Sequence, residues 1–299
     1  MERVLVTGAN GIIGAALRRL LLADDATTSV FAVHSPAIGE SERAFDLRDG
    51  DSIRTLVSAT RPDVVIHLAG LTGPGCEVSP QDAFQINVEG TRRLAMAALE
   101  EGVRRFVFAS SAAVYGDLAN RPAREDDPLA GRSVYARSKA EAEQALSEVA
   151  LSSGAMSSIS GRIFNVVDLN SRLSLFSRLF ASAREGNDEV VLRGLDSFVR
   201  DYVRSIDVAR GLLDLARIRP PRQNDVTNIG TGVATSNRML IEMMTKRVAV
   251  RHRLDAKDLG SYSVADTSHF RALVGYELPP LPGLLASEAP MESLFRVDA

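Results

Sequence analysis

The stretch Arg3-Val4-Leu5-Val6-Thr7-Gly8-Ala9-Asn10-Gly11-Ile12-Ile13-Gly14 joins a short apolar run to a glycine-rich turn. Apolar residues then recur at helical spacing up to Leu22, so the turn lies between a first strand and a first helix. Glycines in such a turn let a pyrophosphate approach the backbone at the N-terminus of the helix. The stretch therefore predicts a dinucleotide site, and its expected residues are Gly8, Asn10, Gly11, Ile12, Ile13 and Gly14.

Short apolar runs alternate with helical patterns through the first half of the chain. Residues 29–34 and 63–68 are extended runs, and the second is almost continuously apolar, as in strands buried on both faces of a parallel sheet. Further elements are expected as helices over 12–22, 51–60, 84–101 and 134–150 and as strands over 105–110 and 159–165. The alternation predicts an α/β fold with a doubly wound parallel sheet.

Composition excludes several classes of protein. The 299 residues carry 35 basic and 38 acidic side chains, and this formal net charge of −3 argues against a nucleic-acid partner. A single cysteine, Cys76, excludes an internal disulfide, and no histidine or cysteine pair has metal-ligand spacing, so no metal is expected. No apolar run approaches the roughly 20 residues of a membrane span. We therefore expect a cytoplasmic protein without a membrane partner.

A tyrosine and a lysine stand four residues apart in Tyr135-Ala136-Arg137-Ser138-Lys139. This spacing puts both on one helix face, where the ammonium would lower the pKa of the phenol and suit it to proton transfer. Ser111 follows a predicted strand, at the sheet edge where ligands bind in open α/β folds. A solvated helix face and a polar strand cap are the alternatives. The glycine-rich turn, the serine at a strand end and the Tyr-Lys helix occur together and in the expected order. This combination favours Ser111, Tyr135 and Lys139 as catalytic residues.

The chain resembles the extended short-chain dehydrogenases of the epimerase/dehydratase family. Eight ordered blocks carry the resemblance: the GxxGxxG turn of residues 8–14, Asp46-Leu47-Arg48-Asp49, His67-Leu68-Ala69-Gly70, Asn87-Val88-Glu89-Gly90-Thr91, Ser110-Ser111-Ala112-Ala113-Val114-Tyr115-Gly116, Arg162-Ile163-Phe164-Asn165-Val166, Arg200-Asp201-Tyr202-Val203 and Asn228-Ile229-Gly230-Thr231-Gly232. Such blocks are specific for the family and much less so for the substrate.

The resemblance implies a role for each matching residue. Tyr135 would exchange the proton, Ser111 would bind the reacting carbonyl or hydroxyl, and Lys139 would hold the nicotinamide ribose. The other expected cofactor contacts are Asp46, Leu47, Leu68, Ala69, Gly70 and Asn87. Asn165 and Arg200 would hold the sugar and phosphates of a nucleotide-linked substrate, as an arginine fork suits a diphosphate. Alternatively, Asn165 only caps a strand end, and Arg200 forms a salt bridge with an adjacent acidic group.

Two departures from the family pattern narrow the chemistry. Ala112 and Ala113 stand where dehydratases of the family carry an acidic pair, which argues against a 4,6-dehydratase. Position 34, twenty residues after Gly14, holds His34 instead of the acid that binds the NAD ribose, and Ser35 and Arg43 could receive a 2′-phosphate. NADP(H) is therefore favoured, and NAD(H) stays open because Glu40 or Glu42 could replace the missing acid.

These observations favour an NADP(H)-dependent 4-ketoreductase of a nucleotide-linked hexose. A nucleotide-sugar 4-epimerase with tightly bound NAD is the alternative. A reductase or dehydrogenase of a small carbonyl compound and a non-catalytic cofactor sensor also remain open. Residues 1–164, with 206–231, are expected to form the Rossmann domain, and residues 165–205 and 232–299 a smaller substrate domain. By resemblance, two copies would pair through the helices near Asn87 and Val134 as a homodimer.

Overall fold

The computed structural model describes residues 2–34, 36–37, 39–118, 120–186, 189–218, 220–255, 260–287 and 289–295. The strands are β1 (Glu2–Thr7), β2 (Thr27–Val33), β3 (Glu42–Ala44), β4 (Val64–His67), β5 (Arg105–Ser111), β6 (Ser157–Ile163), β7 (Asn165–Val167), β8 (Val190–Leu192), β9 (Phe198–Arg200), β10 (Tyr202–Arg204), β11 (Asn224–Ile229), β12 (Thr235–Ser236), β13 (His252–Leu254) and β14 (Ser261–Ser263).

The α-helices are α1 (Ile12–Leu22), α2 (Gly50–Thr60), α3 (Gly73–Val78), α4 (Pro80–Ala83), α5 (Gly90–Glu100), α6 (Val134–Ser153), α7 (Leu175–Glu185), α8 (Ser205–Arg217), α9 (Asn237–Thr245), α10 (Ser268–Val274) and α11 (Leu281–Ala286). A π-helical segment, Phe84–Glu89, leads into α5, and 3-10 turns cover Ala112–Tyr115 and Ser293–Phe295. Within the described ranges no helix has the length and apolar character needed to cross a bilayer.

Seven strands form the central sheet in the order β11-β6-β5-β4-β1-β2-β3, and neighbouring strands run parallel. From β1 the chain builds outward to β2 and β3 on one side, then returns to β4 and continues outward on the other. The loops that follow β1 and β4 therefore diverge, and in open α/β sheets ligands bind at such a point. The doubly wound α/β fold is confirmed.

Successive side chains of the sheet alternate between two apolar layers. In β1, Val4 and Val6 pack in the layer that includes residues of α1 and α8, whereas Leu5 packs in the opposite layer with residues of α2, α5 and α6. This two-sided burial explains why the strands of the parallel sheet are nearly continuously apolar. It also holds the carboxyl ends of the strands, which face the cleft, in fixed positions.

A third apolar cluster lies outside the central sheet. It joins α7, α9 and α11 through residues that include Phe176, Phe180, Leu240, Met244 and Leu285. Short pairings surround it: β7 with β10, β9 with β12 and β14, and β8 with β13. The structure puts β11 in the central sheet and packs α8 against α1. The domain boundaries expected from sequence stay a prediction.

Two predicted elements differ from the observed ones. The expected strand over 159–165 ends at Ile163, because the Phe164 amide still bonds Ile229 while the next amide, that of Asn165, donates to Asp201 and begins β7. The expected helix over 84–101 is divided into the π-helical segment and α5. Both deviations involve expected site residues: Asn165 begins β7, and Asn87 lies in the π-helical segment.

His67 is fully buried at the end of β4. Its Nδ1 lies 2.6 Å from Thr7 Oγ1, and its Nε2 lies 3.0 Å from Thr91 Oγ1. Because the Thr91 hydroxyl donates to the Asn87 carbonyl, it accepts the proton of Nε2, and Thr7 then donates to Nδ1. The network therefore uses the neutral ring. Burial, assisted by the charge of Lys139, lowers the pKa of His67 to about 3.

Burial of His67 makes the unfolding free energy dependent on pH. In the unfolded chain this histidine takes up a proton near pH 6.5, whereas the folded protein resists protonation down to about pH 3. The unfolded state binds more protons in this window, so acid reduces stability by about 1.4 kcal/mol per pH unit. We expect urea unfolding between pH 6 and 4 to show that the unfolding free energy of His67→Gln changes less steeply with pH than that of the wild type. The difference between the two slopes should be about 1.4 kcal/mol per pH unit. Equal slopes in His67→Gln, in the partly exposed control His269→Gln and in the wild type would contradict the assignment.

Candidate active site

A cleft of about 1050 Å³ opens at the carboxyl edge of the central sheet. It extends from the glycine-rich turn, past the ends of β4 and β5, to the segment that follows β6. Its lining residues are Gly8, Asn10, Gly11, Ile12, Ile13, Gly14, Val33, His34, Phe45, Asp46, Leu47, Arg48, Leu68, Ala69, Gly70, Leu71, Thr72, Gly73, Pro74, Asp82, Ile86, Ala109, Ser110, Ser111, Tyr135, Lys139, Ile163, Phe164, Asn165, Val166, Leu173 and Ser174.

The glycine-rich turn forms a cradle made of backbone. A Cβ at Gly8 would lie 2.6 Å from the Ala69 nitrogen, and one at Gly14 would lie 2.3 Å from the Gly8 oxygen. Gly11 begins α1 without a side-chain cap, and the first turn carries no acid. Amide groups at such a helix start attract phosphate oxygens. The turn therefore fits the pyrophosphate of a dinucleotide, whose nucleotide ends would extend toward His34 and toward Tyr135.

At the His34 end of the cleft the ionic groups pair with each other. The Arg48 guanidinium donates to the Asp46 carboxylate at 2.7 Å and holds the pKa of Asp46 at about 2. Arg43, expected to receive a 2′-phosphate, instead donates to the carbonyls of Glu40 and Glu42, both at 2.7 Å. The structure does not bring Arg43 to the cleft. Ser35, the other expected phosphate contact, lies outside the described residues.

The three expected catalytic residues, Ser111, Tyr135 and Lys139, all line the cleft. Ser111 ends β5, and the other two lie in the first two turns of α6. The start of α6 is fixed because the Ser133 hydroxyl accepts the Ala136 amide at 3.0 Å. The Glu77 carboxylate also accepts the Val134 amide at 2.8 Å, next to Tyr135. Sequence reasoning missed Glu77, because nothing in the sequence links α3 to α6.

The charges around Tyr135 are set mainly by burial. Burial raises the pKa of Tyr135, and a hydrogen bond with Ser111 opposes this shift. Lys139 Nζ donates to the Ala109 carbonyl at 2.7 Å and lies 4.5 Å from the centre of the Phe108 ring. Burial lowers the pKa of Lys139 to about 8. The pKa of Tyr135 is therefore raised, not lowered as the Tyr-Lys spacing predicted, because burial is the largest influence on the phenol.

Asn87, expected against the cofactor, is buried beneath the cleft and does not line it. Its Oδ1 accepts the Leu71 amide at 2.7 Å, and its Nδ2 donates to the Leu71 carbonyl and the Ser138 hydroxyl, both at 3.0 Å. Gly70 lies so close that a Cβ would approach Asn87 Oδ1 to 2.8 Å. Asn87 therefore connects the loop after β4 to α6.

The substrate side of the cleft is mostly apolar. Phe164, Val166 and Leu173 line it, and the last of these was not expected from the sequence. Asn165 also lines it, and its side-chain amide donates to the Asp201 carbonyl at 3.4 Å.

Arg200 does not line the cleft. Its guanidinium lies 3.8 Å from the centre of the Phe198 ring and donates to the Ser261 carbonyl and hydroxyl, each at 3.0 Å. The structure therefore does not bring Arg200 together with the other expected substrate residue, Asn165, in this cleft.

Comparisons with known proteins agree with this geometry. The model of the NAD dependent epimerase/dehydratase family matches residues 4–230. A UDP-glucose 4-epimerase 4 from Oryza sativa subsp. japonica is 32% identical over 273 residues, which cover 78% of this chain and 73% of the relative.

Solved structures of nucleotide-sugar enzymes share the fold of this chain over nearly its whole length. MoeE5 in complex with UDP-glucuronic acid and NAD has 28% identity and a TM-score of 0.84, with 95% of this chain and 96% of that chain covered. The UDP-glucose 4-epimerase of Thermus thermophilus, in complex with NAD, has 26% identity and a TM-score of 0.78, with 90% and 92% covered. The expected resemblance is confirmed: this chain belongs to the NAD dependent epimerase/dehydratase family of extended short-chain dehydrogenases, enzymes with a nicotinamide cofactor.

Proposed function

We propose that the protein is an NAD-dependent 4-epimerase of a UDP-linked hexose. The Ser111–Tyr135 pair, which lines the same cleft as the glycine-rich cradle with Lys139 one turn away, carries the part of the proposal that concerns proton and hydride transfer. The relatives named UDP-glucose 4-epimerase support it. They favour the alternative left open by the sequence over the 4-ketoreductase that the sequence favoured.

The proposed cofactor is NAD rather than the NADP(H) favoured from sequence. The NADP(H) expectation depended on Arg43 and Ser35, and Arg43 is bonded to carbonyls of its own loop. Arg48, which does line this end, is paired with Asp46. NAD is present in the complexes of MoeE5 and of the Thermus thermophilus enzyme, and NADP preference finds no support there.

In the proposed reaction, Ser111 holds the C4 hydroxyl of the sugar and Tyr135 takes its proton. A nicotinamide cofactor held by the glycine-rich turn would accept and return the hydride, and its oxidised ring would bring a positive charge to the cleft. Such a charge opposes the effect of burial and favours phenolate. Lys139, with a pKa of about 8, carries a proton near neutral pH and is aimed by the Ala109 carbonyl.

Epimerisation requires the keto sugar to present both faces to the same cofactor. The walls formed by Phe164, Val166 and Leu173 offer dispersion contacts without directional hydrogen bonds. Such a surface does not fix one orientation of the ring. Ala112 and Ala113, after the catalytic serine, have no proton to exchange, so elimination of the C6 hydroxyl is not supported.

The first test is cofactor content and turnover without added cofactor. We expect mass spectrometry of the denatured protein to detect NAD. We also expect the purified protein to interconvert UDP-glucose and UDP-galactose, read by chromatography. Protein that lacks NAD and instead reduces 4-keto nucleotide sugars only with added NADPH would contradict the proposal and restore the ketoreductase.

Tyr135→Phe should retain NAD while its rate falls by on the order of 100-fold or more, because proton transfer is lost. Tyr276→Phe is the matched control, since the Tyr276 phenol bonds Asp214 and does not line the cleft. It should keep both the cofactor and the rate. Equal rates in the two variants would remove Tyr135 from the reaction.

We further propose that Arg200 binds the diphosphate of the substrate, and that Asn165 contacts its sugar. The stacked ring of Phe198 and the oxygens of Ser261 hold the guanidinium in one orientation. We expect Arg200→Ala to raise KM for the nucleotide sugar about 10- to 100-fold, equivalent to a lost charge-assisted bond of roughly 1.5 to 3 kcal/mol. Steady-state kinetics would show it, with the exposed Arg271→Ala as control. An unchanged KM in Arg200→Ala would refute this role.

The expected pairing of two copies through α5 and the helix that begins at Val134 stays a prediction, as does the cytoplasmic location.

A further inference from the structure

A buried ion pair lies directly beneath the catalytic residues. Arg162, on β6, and Glu143, on α6, have side chains only 5% and 8% exposed. The guanidinium contacts the carboxylate through Nη2 at 2.8 Å and through Nε at 3.1 and 3.2 Å. Neither residue lines the large cleft. The pair therefore cannot act by touching a ligand bound there.

Glu143 connects the two elements that carry the catalytic residues. It lies eight residues after Tyr135 and four after Lys139, so the three share one face of α6. Its Oε1 also accepts a hydrogen bond from the Ser110 hydroxyl, and Ser110 immediately precedes the catalytic serine on β5. Ser110 and Arg162 are register partners between β5 and β6. One carboxylate thus joins α6 to the end of β5.

Arg162 extends the same network to the turn after the catalytic serine. Its Nη1 donates to Tyr115 Oη and to the Glu125 carbonyl, both at 3.0 Å, and its guanidinium lies 4.9 Å from the centre of the Tyr115 ring. Tyr115 in turn donates to Asn228 Oδ1 at 2.6 Å. The turn that begins at Ala112 is therefore held from below by the same guanidinium that holds Glu143.

We propose that Glu143 and Arg162 are positioning residues: the pair fixes Ser111 relative to Tyr135 and Lys139, and the Glu143 charge supports the Lys139 ammonium. The reaction part of this inference rests on the proposed function. Replacing a buried ion pair by apolar side chains is often neutral or stabilising, so stability alone does not explain its presence. The hydrogen bonds of the Glu143–Arg162 pair explain its presence better, because they connect the elements that carry the proposed catalytic groups.

The groups around Lys139 make the Glu143 charge the decisive one. Burial raises the pKa of Cys76, so the thiol faces the ammonium as a neutral group. Burial also raises the pKa of Tyr135, whose phenol stays neutral until a cation is bound beside it. His67, on β4, is neutral as well, with its pKa lowered to about 3. Burial lowers the pKa of Lys139, and Glu143 opposes that effect.

The surroundings of Glu143 pair its carboxylate with a cation and a hydroxyl donor. Arg162 faces it from β6, Ser110 from β5, and Tyr115 and Glu125 lie on the far side of the guanidinium. Burial lowers the pKa of Arg162, but the Glu143 carboxylate outweighs burial and raises it. The guanidinium therefore stays protonated. Loss of the Glu143 charge would leave the Lys139 ammonium without its opposing carboxylate, and the lysine would lose its proton at lower pH.

The chain has three lysines, Lys139, Lys246 and Lys257, so the charge of Lys139 can be measured without any substrate. NMR of protein labelled with 13C at lysine Cε would follow all three against pH, and Lys139→Met would assign the catalytic one. Two variants are compared. Glu143→Gln removes the charge but leaves Arg162 buried without its carboxylate, which can impair folding. The double variant Glu143→Leu with Arg162→Met therefore replaces both members of the pair by apolar side chains.

We expect Lys139 to titrate at lower pH in both variants than in wild type, while Lys246 is unchanged. We also expect kcat to fall on the order of 100-fold with little change in KM, because small misplacements of catalytic groups have costs of that size. The alkaline limb of the kcat profile should move to lower pH. A matched control, Arg204→Met with Asp207→Leu, removes another buried ion pair and should change none of these readings.

Folded variants in which Lys139 titrates as in wild type and kcat is retained would overturn the inference and leave the pair a structural one. A wild-type protein that binds NAD but turns over no nucleotide sugar would overturn the proposed function instead. The titration would still decide whether Glu143 supports the Lys139 charge. The two failures are therefore distinguishable.

Discussion

The contact between the backbone of Gly8 and that of Leu68 and Ala69 is the constraint on which the cleft depends. Any Cβ at Gly8 would overlap the peptide after β4, and Gly8 also has a φ of +71°. Gly14 meets the Gly8 oxygen in the same way, which brings α1 against the turn. Only glycine allows these approaches without strain. Because Gly8 and Gly14 have no side chain, the ends of β1 and β4 and the start of α1 enclose a space that is lined by backbone amide groups.

Burial then decides which groups in this space carry charge. The same low-polarity surroundings that keep the His67 ring, the Cys76 thiol and the Tyr135 phenol neutral also strengthen each charge that remains. Lys139 is the exception: its ammonium donates to the Ala109 carbonyl and lies over the Phe108 ring, and Glu143 opposes part of the lowering of its pKa by burial. A site with so few charges responds strongly to one more, so the protonation of the Tyr135 phenol depends on what is bound beside it.

The sequence predicted features that depend on local pattern. The bounds of α1 agree with the structure, the alternation of strands and helices indicated the sheet, and Ser111, Tyr135 and Lys139 do line one cleft. It did not predict features set by distant partners. The side chain of Arg200 is held by Ser261, sixty-one residues away in the chain. The sequence also could not distinguish a reductase from an epimerase, because Ser111, Tyr135 and Lys139 would serve both reactions.

The catalytic helix shows why a polar pattern can mislead. Lys139 and Glu143 stand at i and i+4, and such a pair usually marks a solvated helix face. Here α6 turns that face, with Ser138, toward the protein interior. Buried polar groups without partners are costly, so each must find one, and the partners come from several other elements: the Ala109 carbonyl, Arg162 and Asn87. These partners lie on the strands β5 and β6 and on the π-helical segment, so three other elements hold this face of α6. The spacing of Lys139 and Glu143 alone could not show this, because their partners lie on elements far away in the chain.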